Sequence, residues 1–482
     1  MLSIFKGIMP QQIVLSRRIS LILCVLFITS PIIISPASSD ITITINTKLL
    51  STSDDRFGFH VEPSMAIQAD GSIIAGWKDS TSHDGPGLAT SYVISKDGGQ
   101  TWSDPKFVPT TFKGEDYVGT RVSAQSDPWI RTFENTMYYV YIEYNSSTSQ
   151  ITLAKSTDTG TTWKTTKASY NQGFSDKETL TIDTNGNLYI VYDDVGINGT
   201  KVRLSRSFDN GETFFENVTI SDLEFGDYVG PYALARNNSI YVAFTQFPNS
   251  GEAGDICFDQ SSDNGNTWHA DTDINPSGNA SVFTINENRG SPMKVSLPVL
   301  ESDSNNRLYL AWDDISTDPS NTNWDVYFRY SDDKGQNWSD KMRVNKALDR
   351  SQWMPEMAID GKDNVHFIYY DEISDNQIAL KYRIWNTTTE EFGDETTISK
   401  NEIPTTYTRL GEYTTMEIDD TGAVHMVWTG VDNSGLDIYY TKLTRTETTN
   451  SGSTTKSPFL ELNLIVIAPL LIYATSKKHL TS

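Results

Sequence analysis

The chain has 482 residues, with 38 Lys and Arg against 62 Asp and Glu, a formal charge of −24. That excess repels phosphate backbones, and no basic stripe offsets it, so nucleic acid is excluded as a partner. The wealth of Thr, Ser, Asn, Asp, Tyr and Trp, without long Ala/Leu/Glu/Lys stretches, predicts strands and turns with few helices outside the termini.

At the N-terminus Arg17 and Arg18 precede an apolar run from Ile19 to Ile34, and Ser35-Pro36-Ala37-Ser38-Ser39 supplies the small residues of a cleavage site. Residues 1–39 therefore read as a secretion signal, with an uncleaved anchor as the alternative. Of the two cysteines, Cys24 lies in that segment, so the mature chain, left with Cys257, has no internal disulfide. Its stability must come from packing.

Between the ends an octapeptide recurs, beginning as Ser95-Lys96-Asp97-Gly98-Gly99-Gln100-Thr101-Trp102 and returning at Ser156 to Trp163, Ser207 to Phe214, Ser261 to Trp268 and Ser331 to Trp338. Asp and Ser side chains can bond nearby backbone N–H groups, Gly permits a positive φ, and the aromatic fills a core position. Each copy predicts a self-stapled hairpin, and a carboxylate repeated five times (Asp97, Asp158, Asp209, Asp263, Asp333) is architecture rather than a unique site.

A second repeat pairs a strand-like run and a turn with an alternating strand rich in aromatics. It begins at Pro63, Pro128, Glu178, Pro231, Pro298, Pro355 and Tyr413, ending near Trp77, Tyr144, Tyr192, Phe244, Trp312, Tyr370 and Trp428. A third strand follows each time. Within residues 40–445, the stretch 41–441 divides into seven units of about 57 residues each, which suit four-stranded blades. The predicted fold is an all-β propeller of seven blades, six being the alternative, closed by Ile41 to Leu49 as the missing strand of the last blade.

Residues 446–457 form a Thr/Ser-rich linker, 458–476 a hydrophobic anchor, and 477–482 a short basic tail. The apolar segment either spans the membrane or is exchanged for a lipid; both tether the protein with its bulk outside the cell. The expected localisation is secreted and membrane-anchored.

The octapeptides resemble the Asp boxes of the sialidase superfamily, the bacterial neuraminidase repeat proteins, over about residues 55 to 440. The resemblance implies a propeller at the cell surface that binds glycans or glycoproteins, or, as the alternative, a glycoside hydrolase of exo-α-sialidase type. Sialidases of the family carry Arg-Ile-Pro in the first inner strand, where that Arg helps to grip the substrate carboxylate. Here the stretch is Val61-Glu62-Pro63, and Val61 stands where the Arg would be.

The binding face should lie opposite the octapeptides, at the starts of first strands and the ends of second strands. Arg121, Arg289, Arg350 and Arg409 are the candidates for a rebuilt arginine clamp, since the planar guanidinium grips carboxylates bidentately. Tyr407 would be the nucleophile beside Arg409, with Glu412 activating it, the family's Tyr–Glu chemistry being implied by the resemblance. Asp127, Asp176 and Glu178 complete the expected ligand-binding set. The pairs Asp193-Asp194 and Asp313-Asp314, with Asp371, recur at second-strand ends and would hold Ca²⁺ if they converge; the alternative is solvated strand caps, and no cofactor is required. Trp324 and Trp353 are expected in loops on this face, as sugar-stacking residues or as packing beneath the loops.

Overall fold

The computed structural model describes residues 39–51, 57–82, 86–111, 124–145, 148–170, 173–196, 199–222, 227–247, 255–275, 297–315, 323–402, 410–431 and 435–449. The described parts of 1–41 and 447–482 are only the ends of two strands, and 42–446 form one compact unit. The signal read at 1–39, apart from Ser39, and the anchor at 458–476 lie outside the described residues. Among the described residues no helix is long and apolar enough to cross a membrane.

Every described element is a strand. Four antiparallel sheets hold four strands, a fifth holds five, and an eight-stranded sheet consists of two antiparallel groups joined by one parallel bridge, Phe59 to Leu436. One of those groups runs from Phe59–Ile67 outward to Lys106–Phe107; the other is Thr415–Ile418, Val424–Val431, Leu436–Thr449 and, outermost, Ser39–Leu49. The N-terminal strand thus pairs with the last strand of the chain, as expected. Ser51 Oγ donates to Asp437 Oδ1 at 2.6 Å, and Leu50 N to Ile438 O at 2.8 Å, extending that register beyond the strand. The strand Leu436–Thr449 runs four residues into the segment read as linker.

The alternation seen in the sequence puts the second-strand aromatics inside: Trp77, Tyr192, Phe244, Trp312, Tyr370 and Trp428 are all buried. The expected loop tryptophans join them. Trp324 opens the strand Trp324–Ser331 and is buried, while Trp353 lies in Gln352–Ile359, fully buried and stacked on Tyr370 at 5.9 Å. Both are core residues, because the strands start earlier than the apolar pattern suggested.

The octapeptides fold as stapled turns. In the second, Ser156 Oγ donates to Asp158 Oδ1 at 2.8 Å and accepts from Gly160 N at 3.0 Å, while Thr162 N donates to Asp158 Oδ1 at 2.8 Å. The same Ser–Asp–Gly triangle recurs at Ser95, Ser207, Ser261 and Ser331. Hydrogen bonds from Thr162 hold the Asp158 carboxyl down at about 2, which marks a permanently ionised structural acceptor. The aromatic of the turn reaches into the preceding group of strands: Trp163 meets Tyr92 at 5.3 Å, Trp338 meets Phe258 at 5.3 Å, and Trp102 meets Tyr440 at 4.9 Å. These contacts sew adjacent sheets together edge to face.

Candidate functional site

The first strands carry a defect that the sequence announces. In five of them the ladder skips between residues 61 and 64, 126 and 129, 176 and 179, 229 and 232, and 353 and 356. Four of these skips contain a proline (Pro63, Pro128, Pro231, Pro355), which has no N–H to give to a ladder, so the strand bulges there. In the third, Glu178 takes the proline's place. The residue just before is left-handed each time: Glu62 at φ 57°, Asp127 at 54°, Lys177 at 51°, Gly230 at 64° and Met354 at 57°. A left-handed non-glycine residue costs about 1 kcal/mol or more, and such strain concentrates at binding and catalytic positions.

Three of these bulge residues form a charged network. Lys177 Nζ lies 2.6 Å from Asp127 Oδ2, 3.5 Å from Asp176 Oδ1, and in contact with Glu412 Oε2. Lys78 Nζ lies 2.6 Å from Glu62 Oε1 and 3.9 Å from Asp127 Oδ1. Gly230 and Met354 supply no charge, so one part of the bulge set is ionic and the other apolar.

Next to the network lies a cavity of about 30 Å³, lined by Trp129, Glu178, Tyr232, Glu356, Glu412 and Tyr413 together with Lys177, Leu297, Met354 and three prolines. Trp129 meets Tyr232 at 5.4 Å and Tyr413 at 5.5 Å, both edge to face. The Tyr413 hydroxyl donates to Pro128 O at 3.0 Å, and burial followed by the charge of Asp127 holds its phenol well above the usual range. Tyr413 is therefore a protonated wall of the cavity. Behind Trp129, the Arg131 guanidinium stacks at 4.9 Å and Nη2 donates to the Tyr232 hydroxyl at 3.4 Å.

Burial opposes ionisation of Asp127, but Lys177 and Lys78 outweigh it and hold the carboxyl below its ordinary range. Burial and then Asp127 push Glu178 well above its own. Glu178 is 2 % exposed, and neither of its carboxylate oxygens has a hydrogen-bond partner among the described residues. A buried carboxyl left so bare is costly unless protonated or met by a ligand.

Of the expected binding residues, Asp127, Asp176, Glu178 and Glu412 come together here. Glu412 is in contact with Lys177. Tyr407, Arg409, Arg121 and Arg289 lie outside the described residues. Arg350 is taken up elsewhere, 2.8 Å from Asp375 in a hairpin and 3.7 Å from Glu372. Val61, where the family pattern has an arginine, is buried in an apolar cluster with Trp353 and Leu410.

The acidic pairs do not gather around one point. Asp193 Oδ2 accepts from Gly230 N at 3.1 Å and Asp313 Oδ1 from Met354 N at 3.4 Å, each bracing the bulge of another sheet. Asp194 faces Arg203 at 3.2 Å, Asp314 accepts from Asn275 Nδ2 at 2.5 Å, and Asp371 accepts from Gln352 Nε2 at 2.8 Å. Among the described residues no group of three carboxylate, His or Cys side chains is placed to hold a metal ion. Lys78, Glu62 and the aromatic trio were not singled out as site residues from sequence, and Lys177 was placed on this face without a role; the X-Pro dipeptides at 62–63, 127–128 and 230–231 were the signal for Glu62, Trp129 and Tyr232.

No family model and no curated protein matches the chain. Among solved structures it is similar to a polysaccharide lyase, an ulvan lyase of PL25, with 10% identity over 79% of this chain and 96% of that one and a TM-score of 0.50. A Hadza microbial sialidase matches with 12% identity over 80% of this chain and 66% of that one, TM-score 0.47. The intramolecular trans-sialidase from Ruminococcus gnavus matches with 13% identity over 80% and 94%, TM-score 0.46. At these identities the likeness is one of fold, and with the antiparallel, mostly four-stranded sheets it supports an all-β propeller.

Proposed function

We propose that the protein is a seven-bladed propeller, closed by its N-terminal strand, that is secreted, held at the membrane by its C-terminal segment, and binds glycans where the bulged first strands meet. The observation that carries this reading is the divided bulge set, with Glu62, Asp127 and Lys177 charged and Gly230 and Met354 apolar, beside a cavity walled by three aromatics. Sugars have the same division: hydroxyl edges that bond carboxylates and amines, and C–H faces that pack on aromatic rings. Six carboxyl groups (Glu62, Asp127, Asp176, Glu178, Glu356, Glu412) stand against Lys78 and Lys177, so the site suits hydroxyl-rich sugars better than anionic ones. A glycan array probed with the full-length chain tests this. Selective binding that weakens in Lys177→Met supports it, and a blank array from folded protein overturns it.

A hydrolase reading rests on one separate observation. Lys177 and Lys78 draw Asp127 below its ordinary range while burial pushes Glu178 above its own, and two carboxyls pushed apart in this way are the usual mark of a general base and a general acid. Release of a fluorophore from neutral or sialic acid glycosides, abolished in Glu178→Gln, is its test; absence of turnover on both classes leaves binding alone.

A further inference from the structure

The cavity is far smaller than a sugar ring. About 30 Å³ accommodates roughly two waters or one small substituent, so a glycan over this site could place only a single group inside. The walls define which group. Glu178 turns a carboxyl with two unpartnered oxygens onto the cavity, and it stands where four other bulged strands have proline, so the acid is a departure from the repeat rather than part of it. Trp129, Tyr232 and Tyr413 surround the same space edge to face. Arg131 already covers one face of Trp129, but the nearby carboxyls of Glu301, Glu356 and Glu417 answer its charge, and Glu412 answers Lys177. Lys177, on the same wall, is engaged with Asp127 and Glu412, and Glu178 keeps no hydrogen-bonded partner of its own among the described residues.

An acid among aromatic rings, in a water-sized space, is complementary to a small cation. The ring quadrupoles attract positive charge, and a desolvated ammonium within reach of a carboxylate gains both interactions. A carboxylate or sulfate on the ligand would instead meet the carboxyl of Glu412 and oppose ionisation of Glu178 and Glu356. We propose that this cavity binds a protonated primary amine carried by the glycan, so that the preferred ligands are amino sugars with a free amine. This rests on the glycan-binding reading above. The protonated state that burial favours for Glu178 in the empty site adds a consequence: entry of the ammonium lets the carboxyl ionise, so binding releases a proton.

The experiment is isothermal titration of the full-length chain, at mildly acidic pH and in two buffers of different ionisation enthalpy. The probes are a fully deacetylated chitotetraose, its N-acetylated counterpart, and ethylammonium chloride. We expect the deacetylated oligomer to bind at least about tenfold more tightly than the acetylated one, the gain of one desolvated cation–π and charge contact, with a buffer-dependent heat that reports proton release. Glu178→Gln should bring the two affinities within about twofold, and Tyr413→Leu, which keeps the acid, should lower the preference as well. Equal affinity for both oligomers, or a preference that survives in Glu178→Gln, overturns the amine assignment while leaving glycan binding in place. Ethylammonium binding without either oligomer retains the cation site and removes the glycan reading. Binding of none of the three removes both.

Discussion

Glu356 offers a quantitative check on the electrostatics of the cavity wall. Its carboxyl is 3 % exposed, accepts from Met357 N at 3.0 Å, and titrates at about 8 rather than near 4.5; burial is the main cause, Arg131 opposes it, and Glu301 and Glu417 add to it. A raised carboxyl binds its proton more tightly in the folded chain, so its contribution is fully present below about pH 4.5 and is lost as pH rises to about 8. Each pH unit in that window costs about 1.4 kcal/mol, and the whole shift sets a ceiling of roughly 5 kcal/mol. Glu356→Gln keeps the shape and the acceptor for Met357 N but does not titrate. In urea unfolding at pH 5 and pH 8, the wild type should lose on the order of 2 to 4 kcal/mol more than the variant between the two pH values. Identical pH dependence in the two proteins would refute a buried, proton-bearing Glu356.

Other expectations follow from single contacts. Lys177→Met leaves Asp127 and Glu412 as buried carboxylates without their lysine, and should lower unfolding free energy by about 3 to 5 kcal/mol; a change within error of zero in urea melts would argue against the network. Gly230→Ala sets a Cβ 2.1 Å from Leu297 Cδ2 at a residue with φ 64°, so we expect a loss of about 1 to 2 kcal/mol together with weaker ligand binding through the displaced cavity wall, read by thermal shift and titration. Ser207→Ala removes the acceptor of Gly211 N and the donor to Asp209, costing about 1 to 2 kcal/mol in denaturant melts, with ligand affinity unchanged because the turn is structural.

The repeats made most of the fold legible. The octapeptides announced their turns through Ser, Asp and Gly, and the second-strand aromatics announced their burial through simple alternation. The site was harder, because alternation fails where it matters. A bulge adds a residue and reverses which side chains face the cavity beyond it, so the charged bulge residues Glu62 and Lys177 could not be told from surface charges by counting in twos. The prolines at 63, 128, 231 and 355 carried that information as missing donors. Trp353 was misread for the related reason that an aromatic before a Met-Pro pair looks like loop, whereas here it is the last regular residue before the bulge. Arg121, Arg289, Tyr407 and Arg409 fall in stretches of sequence that neither repeat covers.

The pairing of Ser39–Leu49 with Leu436–Thr449 also sets an order of events in biosynthesis. Among the described strands, the first to leave the ribosome is the one whose partner is made last: Thr47 Oγ1 meets Thr441 Oγ1 at 2.9 Å across 394 positions. Bringing such distant segments together costs on the order of 5 kcal/mol in chain entropy if the intervening chain is loose. The intermediate sheets, each built from neighbours in sequence, can form during synthesis and shorten that search. Until Leu436–Thr449 emerges, Ser39–Leu49 waits as an unpaired edge, open to strands of other chains. The emergence of Leu436–Thr449 is therefore the moment at which this edge ceases to be an aggregation hazard.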